Sequence, residues 1–216
     1  MPWTKLYDAE GVALEHIELI EPLTVGGHAA DRSGAMEDDV TAVIGCGAVG
    51  LGAVLGLAQK NARKVIAIDV DDAKLALAKE FGATDTINSA KENLHEALLA
   101  LSDGRGPNCV IEAVGLPATF RAAVEEVAFA GSVTYIGYAK APVEYETKLF
   151  VQKELAIRGS RNATPQNFRR VLDFARRGLF PIGKMLTKAY GFNDAGQALA
   201  DWDAAPGKVC RFAVKV

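Results

Sequence analysis

VTAVIGCGAVGLGAVLGLAQKNARKVIAID, residues 40–69, decides the fold. Its β-branched opening, VTAVIG (40–45), reads as a strand, and the small-residue run from Gly47 to Lys60 as a helix. KVIAID (64–69) is a second strand. Between the first strand and the helix stands Gly45-Cys46-Gly47-Ala48-Val49-Gly50, a GxGxxG turn. Glycine clusters are common in turns, so the spacing alone says little. Its position between a strand and a helix gives each glycine a separate task. Gly45 permits the sharp turn, Gly47 lets backbone approach a pyrophosphate, and Gly50 lets the helix pack close to the sheet. The first helical turn, with Ala48 and Val49, offers unpaired N–H groups and a partial positive charge to the phosphates. Asp69 follows Gly50 by 19 residues and ends the second strand. A carboxylate there accepts hydrogen bonds from a ribose diol and repels a 2′-phosphate. Asp71 and Asp72 come next, with no arginine to receive that phosphate, so the expected cofactor is NAD, not NADP. The plainer alternative is that the glycines serve only the turn and Asp69 is a solvated strand end. Motif, context and acid spacing together weigh against it.

A competing reading of the same stretch is a membrane span. Val40 to Ala58 contains no charged residue over 19 positions, and Gly52 and Gly56 form a GxxxG pair of the kind that packs helices in lipid. The dense glycines, the β-branched run before them and the second strand directly after favour a soluble βαβ unit instead.

Outward from this unit the alternation continues. DDAKLALAKEFG reads as a helix with Asp71 near its start and Gly82 just past its end, as the helix dipole and left-handed cap favour. ATDTIN is a short strand and AKENLHEALLALS an amphipathic helix. CVIEAV (109–114) is a strand, PATFRAAVEEVA a helix with proline in its first turn, and SVTYIGY and LAIRGS the last strands. Strands separated by helices predict an α/β fold, a doubly wound parallel sheet covered on both faces.

Composition agrees with a soluble globular chain. Of 216 residues, 50% are hydrophobic and 24% charged, and 24 basic against 27 acidic side chains give a formal charge of −3. That balance gives no reason to expect nucleic acid or anionic lipid as a partner. Cys46, Cys109 and Cys210 lie far apart, without CxxC spacing, and read as reduced thiols of a cytoplasmic protein. The opening MPWTKLYDAEG has no secretory pattern. GxxxxGK[ST] is absent, which excludes a P-loop NTPase. Tyr-xxx-Lys, the catalytic pair of short-chain reductases, is absent too, since Tyr138 and Tyr145 are followed four residues on by Pro142 and Leu149.

In order along the chain, LIEPLTVGGHAADR, VIGCGAVGLGAV, AIDVDDAKLALAKEFGA, CVIEAVG, GSVTYIGY and LAIRGSRNAT resemble the medium-chain, zinc-type alcohol dehydrogenase family. The resemblance is to the branch of sorbitol, threonine and sugar-acid dehydrogenases, and it runs from Leu19 to the C-terminus. It implies a Rossmann domain over residues 22–161, with 1–21 and 162–216 as remnants of a catalytic domain. It also implies cofactor contacts at Val114 and Gly115, which follow Glu112 along the cleft, and at Gly137, where backbone approaches the nicotinamide. Full-length members carry roughly 150 residues before the EPL block, with most of the catalytic-zinc ligands, and these are not in this sequence. Glu21 matches the acid beside that zinc in the polyol branch. One carboxylate cannot hold zinc, which needs about three protein ligands plus an open position. Glu21 is therefore a metal ligand only if the site is completed elsewhere, and otherwise a solvated acid near a helix end.

The remaining candidates read as structural. His28 has no cysteine or second histidine at ligand spacing and fits a helix surface, while His16 and His95 sit among charged helical residues and should be solvated. Cys46, near a helix N-terminus, reads as a small residue fitting the turn, not as a nucleophile. ELAIRGS should form an exposed sheet edge, which invites homo-oligomer pairing, as in the resembling family. Two readings of function stand. One is the NAD(H)-binding portion of a dehydrogenase acting on a polyol, sugar acid or hydroxy amino acid. The other is a nucleotide-binding module without catalysis. Apolar exposure in KMLTKAYGF and KVCRFAVKV would favour the first.

Overall fold

The computed structural model describes residue 3 and residues 6–215; the outermost residues of the proposed first and last segments lie outside them. A short 3-10 turn at Leu14–His16 leads into α1 (Ile17–Arg32). There follow β1 (Val40–Ile44), α2 (Ala48–Ala58), β2 (Lys64–Asp69), α3 (Asp72–Glu80), β3 (Asp85–Asn88), α4 (Leu94–Leu101) and β4 (Cys109–Glu112). After them come α5 (Pro117–Glu126), β5 (Ser132–Tyr135), α6 (Lys148–Gln152), β6 (Ala156–Gly159) and α7 (Pro165–Arg176). A βαβ unit closes the chain: β7 (Leu186–Gly191), α8 (Ala195–Ala204) and β8 (Arg211–Lys215).

The first six strands form one parallel sheet in the order β3-β2-β1-β4-β5-β6, with Val40 opposite Lys64 on one side and Thr41 opposite Cys109 on the other. Strand order reverses between β1 and β4, which opens a crevice at their carboxyl ends. All five residues of β1 are buried, as expected of a central parallel strand covered on both faces. One face packs under α1, α2, α3 and α7 through Leu23, Leu51, Leu75 and Val171, the other under α4 and α5 through Leu98 and Val124. β6 is the edge strand anticipated from ELAIRGS.

Local signals account for the helix ends. The Asp71 carboxylate caps α3 by accepting from the Ala73 and Lys74 amides at 2.8 and 3.2 Å. Gly82 follows the same helix at φ +106°, and Pro117 occupies the first turn of α5. α2 is shorter than expected, and the strand read through Tyr138 stops at Tyr135 because the Ile136 and Gly137 amides turn to the Glu112 carbonyl.

α1 runs through position 22 without a break, so Pro22 lies inside the helix and Glu21 well within it, not near its end. The GxxxG pair has a soluble explanation. α1 and α2 cross in backbone contact: a Cβ on Gly26 would stand 2.0 Å from the Val49 carbonyl oxygen, and one on Gly52 2.4 Å from that of Leu23. Among the described residues no helix is long and apolar enough to cross a membrane. The parallel pair β7–β8 was not anticipated; its strands are mostly exposed and lack the continuous apolar run that marks β1 and β2.

Candidate functional site

The crevice beside β1 is built by the glycine turn, and its glycines have three distinct environments. Gly45 has φ +97°, and a Cβ there would meet Val114 Cγ2 at 2.6 Å and the Ala113 carbonyl at 3.2 Å. A Cβ on Gly50 would lie 1.8 Å from the Gly45 carbonyl oxygen, so the helix can approach the turn only without a side chain. Around Gly47 no atom comes within 4 Å of that position. Backbone is therefore bare toward the crevice where a phosphate would approach. No side chain caps α2. The N–H groups of Ala48, Val49 and Gly50 have no acceptor in their own helix and suit an anion.

Asp69 stands at the carboxyl end of β2, against the glycine turn. Its Oδ2 accepts from the Cys46 amide at 2.7 Å, and its Oδ1 from the amides of Val70 (2.8 Å) and Asp71 (3.1 Å). The carboxylate thus ties β2 to the glycine turn, a role the spacing did not reveal. Of its roughly four acceptor sites, these bonds leave capacity for a ribose hydroxyl.

Cys46 is fully buried, and its sulfur lies 3.7 Å from the Ile68 carbonyl oxygen. Burial pushes its thiol far above the ordinary range, and the Asp69 charge pushes the same way. It fills the turn and is no nucleophile. Burial also raises the Cys210 thiol; Lys74 and Arg211 oppose that rise and Asp69 adds to it. Cys210, just before β8, packs against the same core cluster as α1, α2 and α3, and its amide donates to the Thr187 hydroxyl at 3.0 Å. No sequence signal pointed to it.

On the far side of the strand-order reversal, Val114 is 45% exposed and Gly115 follows at φ +90°. Gly137 lies against this loop: a Cβ on it would be 2.4 Å from the Gly115 amide nitrogen. Beneath them Glu112 is fully buried. Its Oε1 accepts from the amides of Val114 (2.9 Å) and Gly115 (2.8 Å) and from the Thr119 hydroxyl (2.7 Å). A concavity of about 640 Å³ lined by Val40, Arg63, Asn108 and Phe129 opens at the amino ends of the strands. That is the wrong end for a ligand of this sheet type.

Glu21 is the one residue read as a metal ligand, on the condition that the site is completed elsewhere. Glu21 is exposed on α1, and among the described residues no group of three His, Cys, Asp or Glu side chains could hold a metal ion. These residues do not fit a zinc site. His28 is half-buried on α1. His16 departs from the solvated expectation: its ring packs on Gly183, where a Cβ would lie 2.7 Å from Nε2. His95 is exposed, with its Nδ1 2.8 Å from Glu126 Oε2.

Sheet order, glycine turn and strand-end acid together define a Rossmann-type dinucleotide-binding domain. The description "zinc-binding dehydrogenase" belongs to the family model that matches residues 48–177, more than half of the chain, and the chain belongs to that family. D-xylulose reductase of Scheffersomyces stipitis is 38% identical over 150 residues, covering 69% of this chain and 41% of the reductase. The NADH complex of the short chain alcohol dehydrogenase RspB from Escherichia coli CFT073 superposes with a TM-score of 0.84 at 28% identity, over 96% of this chain and 61% of that one. A zinc-binding dehydrogenase of Sinorhizobium meliloti bound to NADP gives a TM-score of 0.79 at 26% identity, over 88% of this chain and 57% of that one. The chain thus spans about two-fifths to three-fifths of the length of these relatives.

Proposed function

We propose that this chain is the NAD(H)-binding part of a dehydrogenase that oxidises a secondary alcohol of a polyol, sugar acid or hydroxy amino acid. The observation that carries the reading is the bare backbone at Gly47, set between the Gly45 turn and the Asp69 carboxylate. In this reading the amides of Ala48, Val49 and Gly50 hold the pyrophosphate. Asp69 accepts from the adenosine ribose and repels a 2′-phosphate, which sets NAD apart from NADP. Val114, Gly115 and Gly137 bring backbone close to the nicotinamide and keep bulky side chains out of its place. Bound NAD supplies the hydride acceptor for the carbinol carbon. No step is assigned to zinc, because Glu21 has no co-ligand among the described residues; a metal enters only if ligands come from elsewhere.

The alternative, a nucleotide-binding module without catalysis, is weakened by the C-terminal unit. Phe192, Leu199, Trp202 and Val214 are 68%, 74%, 40% and 40% exposed, an apolar surface suited to burial against further structure. We also place the protein in a reducing cytoplasm, with its thiols free, and as a homo-oligomer paired through the open edge of β6.

Calorimetric titration with NAD and then NADP, with zinc measured on the same sample, tests the reading. NAD binding with NADP weaker by about tenfold or more and no zinc is the expected result. Absence of NAD binding would overturn it, and stoichiometric zinc would overturn the treatment of Glu21.

A further inference from the structure

We infer that Glu112 is a positioning residue for the nicotinamide half of the cofactor, holding the ends of β4 and β5 in the shape that receives it. This rests on the NAD-binding reading above. An acid at the end of a short strand is ordinarily solvated, yet Glu112 is 0% exposed. Its Oε1 gathers three donors from one loop: the Val114 and Gly115 amides and the Thr119 hydroxyl at the start of α5. Its own carbonyl accepts from the amides of Ile136 and Gly137, at 2.9 and 3.2 Å, where β5 ends. One residue therefore fastens both segments that leave the sheet beside the crevice.

The second carboxylate oxygen gives the arrangement its direction. Oε2 is buried without a hydrogen-bond partner, and a Cβ on Gly137 would stand 2.4 Å from it. A buried carboxylate with one bare oxygen and no ion-pair partner is costly to the fold. What the chain obtains for that cost is geometric. Gly115 is held at φ +90° so close to the next segment that a Cβ would lie 2.9 to 3.2 Å from Tyr138 backbone atoms. The two loops therefore meet backbone to backbone at Gly115 and Gly137 and form a floor there. That floor lies across the strand-order reversal from Asp69. A dinucleotide spans the reversal, so its adenosine half falls at Asp69 and its nicotinamide half at the loops that Glu112 fastens.

The position yields a readout that a purely structural residue would not give. AMP occupies the adenosine side alone, whereas NAD needs both. In the full chain, Glu112→Ala should weaken NAD by about tenfold or more while leaving AMP within about twofold of wild type. Glu112→Gln, which still accepts at one oxygen, should restore NAD affinity to within about threefold of wild type. Thr119→Val removes one donor from the periphery and should weaken NAD by about threefold with AMP unchanged; it decides the matter if Glu112→Ala does not fold. NAD and AMP affinities falling together, or neither falling, overturns the positioning role and leaves NAD binding intact. A wild-type chain that does not bind NAD overturns both.

Discussion

β1 and β7 are strands of similar length in one chain, yet all five residues of β1 are buried and only Tyr190 among the six of β7. β1 has a paired neighbour on each side and helices on both faces, whereas β7 pairs only with β8. The β7–β8 unit is held instead by a few specific contacts. Tyr190 and Phe212 pack with ring centroids 5.3 Å apart, and the Asp201 carboxylate accepts from the Tyr190 hydroxyl at 2.6 Å and from Lys188 at 3.1 Å. The six-stranded part thus carries a core of its own, while the terminal unit is a thin layer that leaves Phe192, Leu199 and Trp202 exposed. Burial decides stability, and hydrogen-bonded pairing alone does not supply it.

The largest expected contrast is in amide exchange. Protection in β1 and β4 should exceed that in β7 and β8 by about a thousandfold, because thinly covered elements open locally. Equal protection would mean that the two parts unfold as one, and the comparison would fail. Next comes a pair of glycine substitutions. Gly50→Ala forces a Cβ onto the Gly45 carbonyl and should cost roughly 3 kcal/mol. Gly191→Ala, at the end of β7, has its nearest neighbouring atom at 3.5 Å and should stay within about 0.5 kcal/mol of wild type. Denaturant midpoints measure both.

Gly47→Ala separates folding from binding inside the well-packed part. Its Cβ enters open space, so the unfolding midpoint should hold while NAD binding weakens by about tenfold. A loss of stability as large as that of Gly50→Ala would show that the space is not free.

The smallest effect concerns the tie between α1 and α7, where Arg170 grips Asp31 with two hydrogen bonds of 2.8 and 3.1 Å. Partial burial raises the Asp31 carboxyl, but Arg170 and Asn167 outweigh it and hold the group below its usual value of 3.8. A depressed folded value stabilises above the unfolded one and is lost as pH falls through the folded one. Arg170→Ala should therefore cost about 0.5–1 kcal/mol at pH 7, modest because the pair is partly exposed, and progressively less below about pH 4. A cost that does not change down to pH 3 would assign the effect to lost packing.

The glycine turn and the strands beside it were legible because each feature has a local cause. A β-branched run, three glycines at fixed spacing and an acid at a strand end need only their immediate neighbours, and β2 occupies the expected residues. What escaped depends on contacts distant in sequence. The anchoring of Asp69 to the Cys46 amide spans 23 residues, and the burial of Glu112 depends on β5 turning over it. Gly26 looked unremarkable until α2 came to lie against it. β7 and β8 were missed because half-exposed strands carry neither a continuous apolar run nor clean alternation. His16 looked solvated because Gly183, which it covers, comes from the far end of the chain.

The glycine crossing of α1 over α2 bears on how movement would travel through the molecule. With Gly26 against Val49 and Ala53, and Gly52 against Leu23, the helices meet through main chain at these points. Side chains can rotate to absorb a small displacement; backbone cannot. At these points little can give between α1 and α2, whose first turn carries the open amides at Ala48 and Val49.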